Sequence, residues 1–220
     1  MKIYCFDLDG TILDSSNAIL NSLNYACNQN GLNSISESEL APYIGPPLIS
    51  YLPKLLDIDK ENLILTNVIS DFRFHHDNFG YKDYCLYPYT SEILFFLKSK
   101  RKKINIYAVT NKPFNVSKKT LNFLNISRFF DGIYSIDSCT EEEINKDVKF
   151  KRSKENYLIQ IQKRNLSSDK IFIGDTYSDY EATFNNEFKF IFASYGYGEI
   201  SKFKKSYEII KSLKDLESLL

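Results

Sequence analysis

A short apolar strand that stops abruptly on two acids constrains this chain more than any other feature. Ile3-Tyr4-Cys5-Phe6 has the length and composition of a buried strand, and Asp7-Leu8-Asp9-Gly10-Thr11 follows it directly. In extended backbone, residues two apart face the same way, so Asp7 and Asp9 can both point into a crevice beyond the strand's carboxyl end. Gly10 lets the chain turn sharply there, and Thr11 can hydrogen-bond within its own loop. The same Asp-x-Asp-Gly pattern occurs in surface turns and calcium loops. A calcium loop of the EF-hand kind needs a glutamate at its twelfth position, and counting from Asp7 that position is Ala18, which excludes it.

A chain of 220 residues with 43% hydrophobic content can bury one large core, or a core plus a small second domain. Lysine plus arginine and aspartate plus glutamate both number 28, so no basic excess points to nucleic acid or to an anionic membrane. Cys5, Cys27, Cys85 and Cys139 are far apart with no C-x-x-C pair, which fits unpaired thiols in a reducing compartment better than disulfides or zinc. The apolar run before Asp7 is too short for a secretory leader, and no stretch approaches the roughly 18 apolar residues of a membrane span. The expectation is a cytoplasmic protein with no nucleic-acid or membrane partner, acting as a monomer or homodimer.

After Asp14 the pattern turns helical. Ala18, Ile19, Ser22, Leu23 and Ala26 fall at helical spacing behind Ser15 or Ser16 as a cap, and Asn30-Gly31 supplies a stop. Helices are expected over Ser36 to Leu40, after the Ile44-Gly45-Pro46-Pro47-Leu48 turn, and from Lys60 to about Phe79, with no convincing strand between residues 15 and 85. Alternation then returns: helix Ser91 to Lys103, strand Ile104 to Val109, helix Pro113 to Leu124, strand Ile133 to Ile136, helix Lys154 to Lys163, strand Ile171 to Ile173, strand Phe188 to Phe192 and a closing helix from Leu213. This is an α/β domain, residues 1–14 and 86–220, interrupted by a helical insertion over residues 15–85.

Two further strand tips carry polar residues. Thr110-Asn111-Lys112-Pro113 ends the strand at Val109, where a hydroxyl and backbone N–H groups at a helix start suit phosphate oxygens, or simply cap the helix. Ile171-Phe172-Ile173-Gly174-Asp175-Thr176-Tyr177-Ser178-Asp179 places two acids four apart at another tip. In order along the chain these stretches resemble the signatures of the haloacid-dehalogenase-like phosphohydrolases, and Val-Thr-Asn-Lys-Pro resembles the phosphoglycolate-phosphatase-like branch. The family's remaining signature is a lysine at a helix start; Lys149, Lys151 and Lys154 all lie in range, and Lys154, with Ser153 as cap, matches best.

The resemblance implies a Rossmann-like three-layer core with a parallel sheet and an α-helical cap. It implies that Asp7 attacks phosphorus to form an aspartyl-phosphate, that Asp9 serves as acid and then base, and that Thr110 and Asn111 bind the phosphoryl group. Mg²⁺ would be held by Asp7, the Asp9 carbonyl and Asp175, with Asp179 supporting the site. Charge supports the need for it: ionised Asp7, Asp175 and Asp179 beside a phosphate repel one another until Mg²⁺ and a lysine add positive charge. The expected substrate is a small phosphorylated metabolite; a phosphomutase and a catalytically silent phospho-ligand-binding regulator are the alternative readings. In the cap, Gly45 resembles a segment facing the phosphate, and Arg73 fits a position where a guanidinium fork could grip a substrate carboxylate. The Phe72-to-Tyr81 stretch is rich in aromatics suited to packing, His75-His76 reads as surface, and Tyr195-Gly196-Tyr197-Gly198 resembles a loop near the site. Arg73→Gln should raise the apparent KM for an acidic substrate roughly tenfold, the loss of one charge-assisted pair; an unchanged KM in steady-state kinetics removes Arg73 from the site.

Overall fold

The computed structural model describes residues 2–45, 48–100, 104–137, 153–166, 169–199, 201 and 207–219. In chain order the elements are β1 (Lys2–Phe6), β2 (Leu13–Asp14), α1 (Ser16–Gln29), α2 (Glu37–Leu40), α3 (Leu48–Leu56), α4 (Leu63–Asn78), β3 (Cys85–Leu86), α5 (Thr90–Ser99), β4 (Ile104–Val109), α6 (Phe114–Phe123) and β5 (Gly132–Tyr134). They continue with α7 (Lys154–Arg164), β6 (Asp169–Gly174), α8 (Tyr177–Glu181), β7 (Lys189–Ala193) and β8 (Glu208–Ile210). The chain divides into two compact units, Met1–Leu13 with Leu86–Leu220, and Asp14–Cys85. No helix among the described residues is long and apolar enough to cross a membrane.

The first unit is built on a six-stranded sheet in the order β5-β4-β1-β6-β7-β8, with every described pairing parallel. Ile3, Tyr4, Cys5 and Phe6 are all fully buried, the mark of a central parallel strand covered on both faces. Ile3 and Cys5 face a core that contains Val109, Phe172 and Phe190 with Tyr157, Leu158 and Ile161 of α7. Chain order reverses at β1, which has β4 on one side and β6 on the other, so a crevice opens at the carboxyl ends of these three strands.

The Rossmann-like α/β core is as expected, and the chain after Asp175 adds local features of its own. β8 was not anticipated: Glu208-Ile209-Ile210 is too short for periodicity to declare, and pairing with β7 creates it. The closing segment Leu213–Leu219 is a 3₁₀ helix rather than an α-helix, with Leu213 and Leu216 buried at its spacing of three. α8, which contains Asp179, is only about a turn and a half long. Asn185 and Glu187 beyond it are tied to α7 instead, Asn185 Nδ2 donating to Glu155 and the Glu187 N–H to Gln162.

The second unit packs α1 against α4, with Ala18, Leu23, Ala26 and Cys27 of α1 and Leu65 and Val68 of α4 buried. α4 opens on Asn62, whose side chain accepts from the Ile64 N–H, and α2 opens on a capping box between Ser36 and Glu39. The surface reading of His75-His76 fails for its second member. His76 is buried, stacks on Phe72 and shares a 2.7 Å hydrogen bond with the Tyr84 hydroxyl, while His75 stacks on Tyr25 and meets the Ser22 hydroxyl. Adjacent residues on a helix splay, but here the two directions both lead into packed side chains. Tyr84→Phe should cost about 1–3 kcal/mol by leaving a buried ring nitrogen without its partner; urea unfolding that shows no loss contradicts the role of this pair.

Candidate active site

Strand register brings the polar tips together. Lys2 lies opposite both Ile104 and Asp169, so β1, β4 and β6 start level, and Phe6 lies opposite Ala108 and Ile173, one residue short of the ends of β4 and β6. The Asp7 N–H donates to the Ile173 carbonyl and the Thr110 N–H to the Tyr134 carbonyl, extending the ladders one residue beyond the strands. In this register Asp7 falls level with Val109 and Gly174, so Thr110 and Asp175 follow one residue further on at the same end of the sheet.

The centre of the cluster is Lys154. Ser153 caps α7 by accepting from the Asn156 N–H, which puts Lys154 at the first position of the helix. Its ammonium lies 2.8 Å from Asp7 Oδ1 and 2.6 Å from Asp179 Oδ1, and all three groups are buried. Lys149 and Lys151, the other lysines in range, lie outside the described residues, as does Cys139. Burial alone would lower the Lys154 pKa, but Asp179 and Asp7 reverse this and hold it well above the usual lysine range.

Asp179 has a second task. Its Oδ2 accepts from the Thr176 N–H and hydroxyl, at 2.9 and 2.6 Å, in a capping box that opens α8. Gly174 makes this possible, since a Cβ there would collide with the Asp179 side chain. Asp175 is fully buried; Oδ1 accepts from the Thr11 hydroxyl at 3.2 Å and Oδ2 from the Tyr197 N–H at 2.8 Å. Burial, and then repulsion by Asp179, push its pKa up to about 7, and Asp7 is held well above the carboxylate range by burial and by Asp179 and Asp175 against the pull of Lys154.

On the other side of β1, Thr110 accepts from the Lys112 N–H at 3.2 Å, leaving its own hydroxyl proton available, and Asn111 is exposed. The sequence reading missed Lys112. Its side chain is buried and its ammonium lies 3.0 Å from Asp9 Oδ2, while Asp9 Oδ1 is buried with no hydrogen-bond partner. Lys112 stood inside a quoted signature, but only the adjacency of β4 and β1 shows which acid it meets. Gly45, at a φ of 115°, and the exposed Arg73 on α4 belong to the Asp14–Cys85 unit.

Ligand atoms of Asp7, Asp175 and Asp179 come within 4.8 Å of one another. Four carboxyl groups, Asp7, Asp9, Asp175 and Asp179, face two ammonium groups, so with every acid ionised the site would carry two negative charges in excess, and all of these side chains but that of Asp9 are buried. Oxygen donors, a deficit of two charges and carboxyl groups pushed toward their neutral form fit a hard divalent cation.

A family profile for haloacid dehalogenase-like hydrolases matches residues 4–193. The chain is 30% identical over 202 residues to a phosphoglycolate phosphatase of Aquifex aeolicus, covering 91% of this chain and 88% of that one. It is 28% identical over 144 residues to pyrophosphatase PpaX of Oceanobacillus iheyensis, covering 64% of this chain and 62% of that one. Its fold is similar to that of a haloacid dehalogenase-like family hydrolase from Streptococcus pneumoniae, with a TM-score of 0.79, 24% identity and coverage of 100% and 99%.

A carboxyl group raised to about 7 keeps a proton in the folded, metal-free protein that the unfolded chain has already released above about pH 4. The metal-free protein should therefore lose thermal stability as pH rises from about 4 through 7. The gain in Tm on adding Mg²⁺ should be several degrees larger at pH 8 than at pH 5.5, and Asp175→Asn should remove most of it. An equal Mg²⁺ shift at both pH values contradicts this account of the charge deficit.

Proposed function

We propose, from the premise that this chain is a phosphatase-type member of the haloacid dehalogenase-like hydrolases, that it is a Mg²⁺-dependent enzyme hydrolysing a small phosphorylated metabolite through an aspartyl-phosphate on Asp7. The observation that carries this reading is the buried Lys154 ammonium bridging Asp7 and Asp179 at the tips of β1 and β6. Phosphate-monoester hydrolysis is among the slowest uncatalysed reactions, so a single difficult displacement is divided into two easier ones.

Asp7 attacks phosphorus and the ester oxygen leaves, taking a proton from Asp9. Asp9 then accepts a proton from the water that hydrolyses the acyl phosphate, which returns both acids to their starting states. Lys154 compensates the charge of Asp7 and of the phosphoryl oxygens. Thr110, with its hydroxyl proton uncommitted to Lys112, and the backbone N–H of Asn111 hold those oxygens. Lys112, beside Asp9, places positive charge where the leaving oxygen gains negative charge. Bound by Asp7, Asp175 and the Asp9 carbonyl with Asp179 in support, Mg²⁺ would supply a Lewis acid for the phosphoryl group.

Gly45 and Arg73 are proposed to select the substrate from the helical unit, which serves as a cap over residues 15–85. Phosphoglycolate and pyrophosphate, from the names of the two relatives, share a second acidic group beside the transferred phosphoryl, and an exposed guanidinium suits such a group. The protein is proposed to be cytoplasmic.

The test is inorganic phosphate release from phosphoglycolate, pyrophosphate, sugar phosphates and nucleoside monophosphates, with Mg²⁺ and with a chelator. Release from one or a few of these should require Mg²⁺, and Asp7→Asn should lower it on the order of 10⁴-fold or more while leaving the circular dichroism spectrum unchanged. Wild-type-like turnover in that variant defeats the mechanism.

A further inference from the structure

Asp175 is enclosed from two directions by backbone that tolerates no side chain. On one side is the turn after β1, where Gly10 has a φ of 82° and a Cβ would overlap the Asp175 carboxylate. On the other is the loop after β7. A Cβ on Gly196 would overlap both the Gly10 carbonyl and the Asp175 side chain, and one on Gly198 would overlap the Asp175 carbonyl. Real Cβ atoms do not approach so closely, so the two glycines mark a close approach that only a bare backbone can make.

Hydrogen bonds join the two sides across the carboxylate. The Tyr197 N–H reaches Asp175 Oδ2 from the loop, and the Thr11 hydroxyl reaches Oδ1 from the turn. The Tyr195 hydroxyl then donates to the Thr11 carbonyl at 2.7 Å, tying loop to turn directly. The loop is itself anchored: Ser194 donates through both its N–H and its hydroxyl to the Ile210 carbonyl at the end of β8, the Gly196 N–H donates to the Ala193 carbonyl, and the Tyr195 ring meets Tyr87 edge to face at 5.0 Å.

We propose that the Tyr195–Gly198 loop is a positioning element of the cation site, a clamp that closes with Thr11 on Asp175 and fixes the rotation of its carboxylate toward Asp7. The inference rests on reading Asp7 and Asp175 as cation ligands. Neither the loop nor Thr11 touches substrate in this scheme; both act through the orientation of one ligand. Outer partners of this kind set metal affinity because a carboxylate already held in place loses little freedom on binding. Glycine at 196 and 198 is thus a requirement for cation affinity as well as for folding.

The experiment is isothermal titration of the full-length, metal-stripped protein with MgCl₂, alongside thermal denaturation without metal. Thr11→Val removes one clamp bond at nearly constant shape and should weaken Mg²⁺ binding about 10- to 100-fold, whereas Thr11→Ser, which keeps the hydroxyl, should stay within about threefold of wild type. Gly196→Ala should weaken binding at least as much; if it does not fold, Thr11→Val and Thr11→Ser decide the matter. A structural role alone would lower the metal-free Tm and leave the Mg²⁺ dissociation constant in place. Wild-type affinity in Thr11→Val, or in a folded Gly196→Ala, overturns the clamp while the cation site stands. Absence of Mg²⁺ binding by the wild-type protein overturns the cation site and the clamp together.

Discussion

An ammonium group buried between two carboxylates governs this molecule. Burial works against the charge on Lys154, and Asp179 and Asp7 beside it outweigh that cost and keep the ammonium protonated. Removing one member of such a set leaves an uncompensated charge, a loss of about 3–5 kcal/mol in comparable cases. The three groups come from the end of the first strand, from α7 and from α8, the short helix after β6. The parallel register of β1 and β6 is therefore the condition for the pairing as much as for the core beneath it. Asp175, the third buried acid, has no ion pair among the described residues and holds its place through hydrogen bonds from Thr11 and Tyr197.

Asp179 joins stability to the site in one side chain. One oxygen completes the capping box that starts α8, and the other receives Lys154. The helix cannot be recapped by a shorter residue without moving the lysine. Shared use of this kind explains why a helix of only five residues is ordered at this position.

What could be read from the sequence follows the range of the interactions concerned. Asp7, Asp9, Asp175 and Asp179 stood out because apolar strands end on them, a pattern contained in a few neighbouring residues. Ser153 and Lys154 were legible for the same reason, as a cap and the first residue of a helix. Lys112 was not, since its significance is an ion pair with Asp9 that exists only because β4 lies beside β1. His76 was misread because two adjacent histidines on a helix give no sign of which ring will be buried against Tyr84. β8 escaped because three residues carry no period, and sheet pairing alone defines it. Tyr195-Gly196-Tyr197-Gly198 resembled a loop near the site, but only the folded chain shows that its glycines lie against Asp175.

The central position of β1 also has a consequence for the order in which the molecule can be made. Synthesis delivers Lys2–Phe6 well before its neighbours in the sheet, Ile104–Val109 and Asp169–Gly174. A chain emerging from the ribosome carries this apolar strand without a partner until the second hundred residues have begun to appear. The helices of Asp14–Cys85 contact one another and are complete before then. The strand that leads into Asp7 thus waits for both of its neighbours, and the site assembles only once β6 arrives.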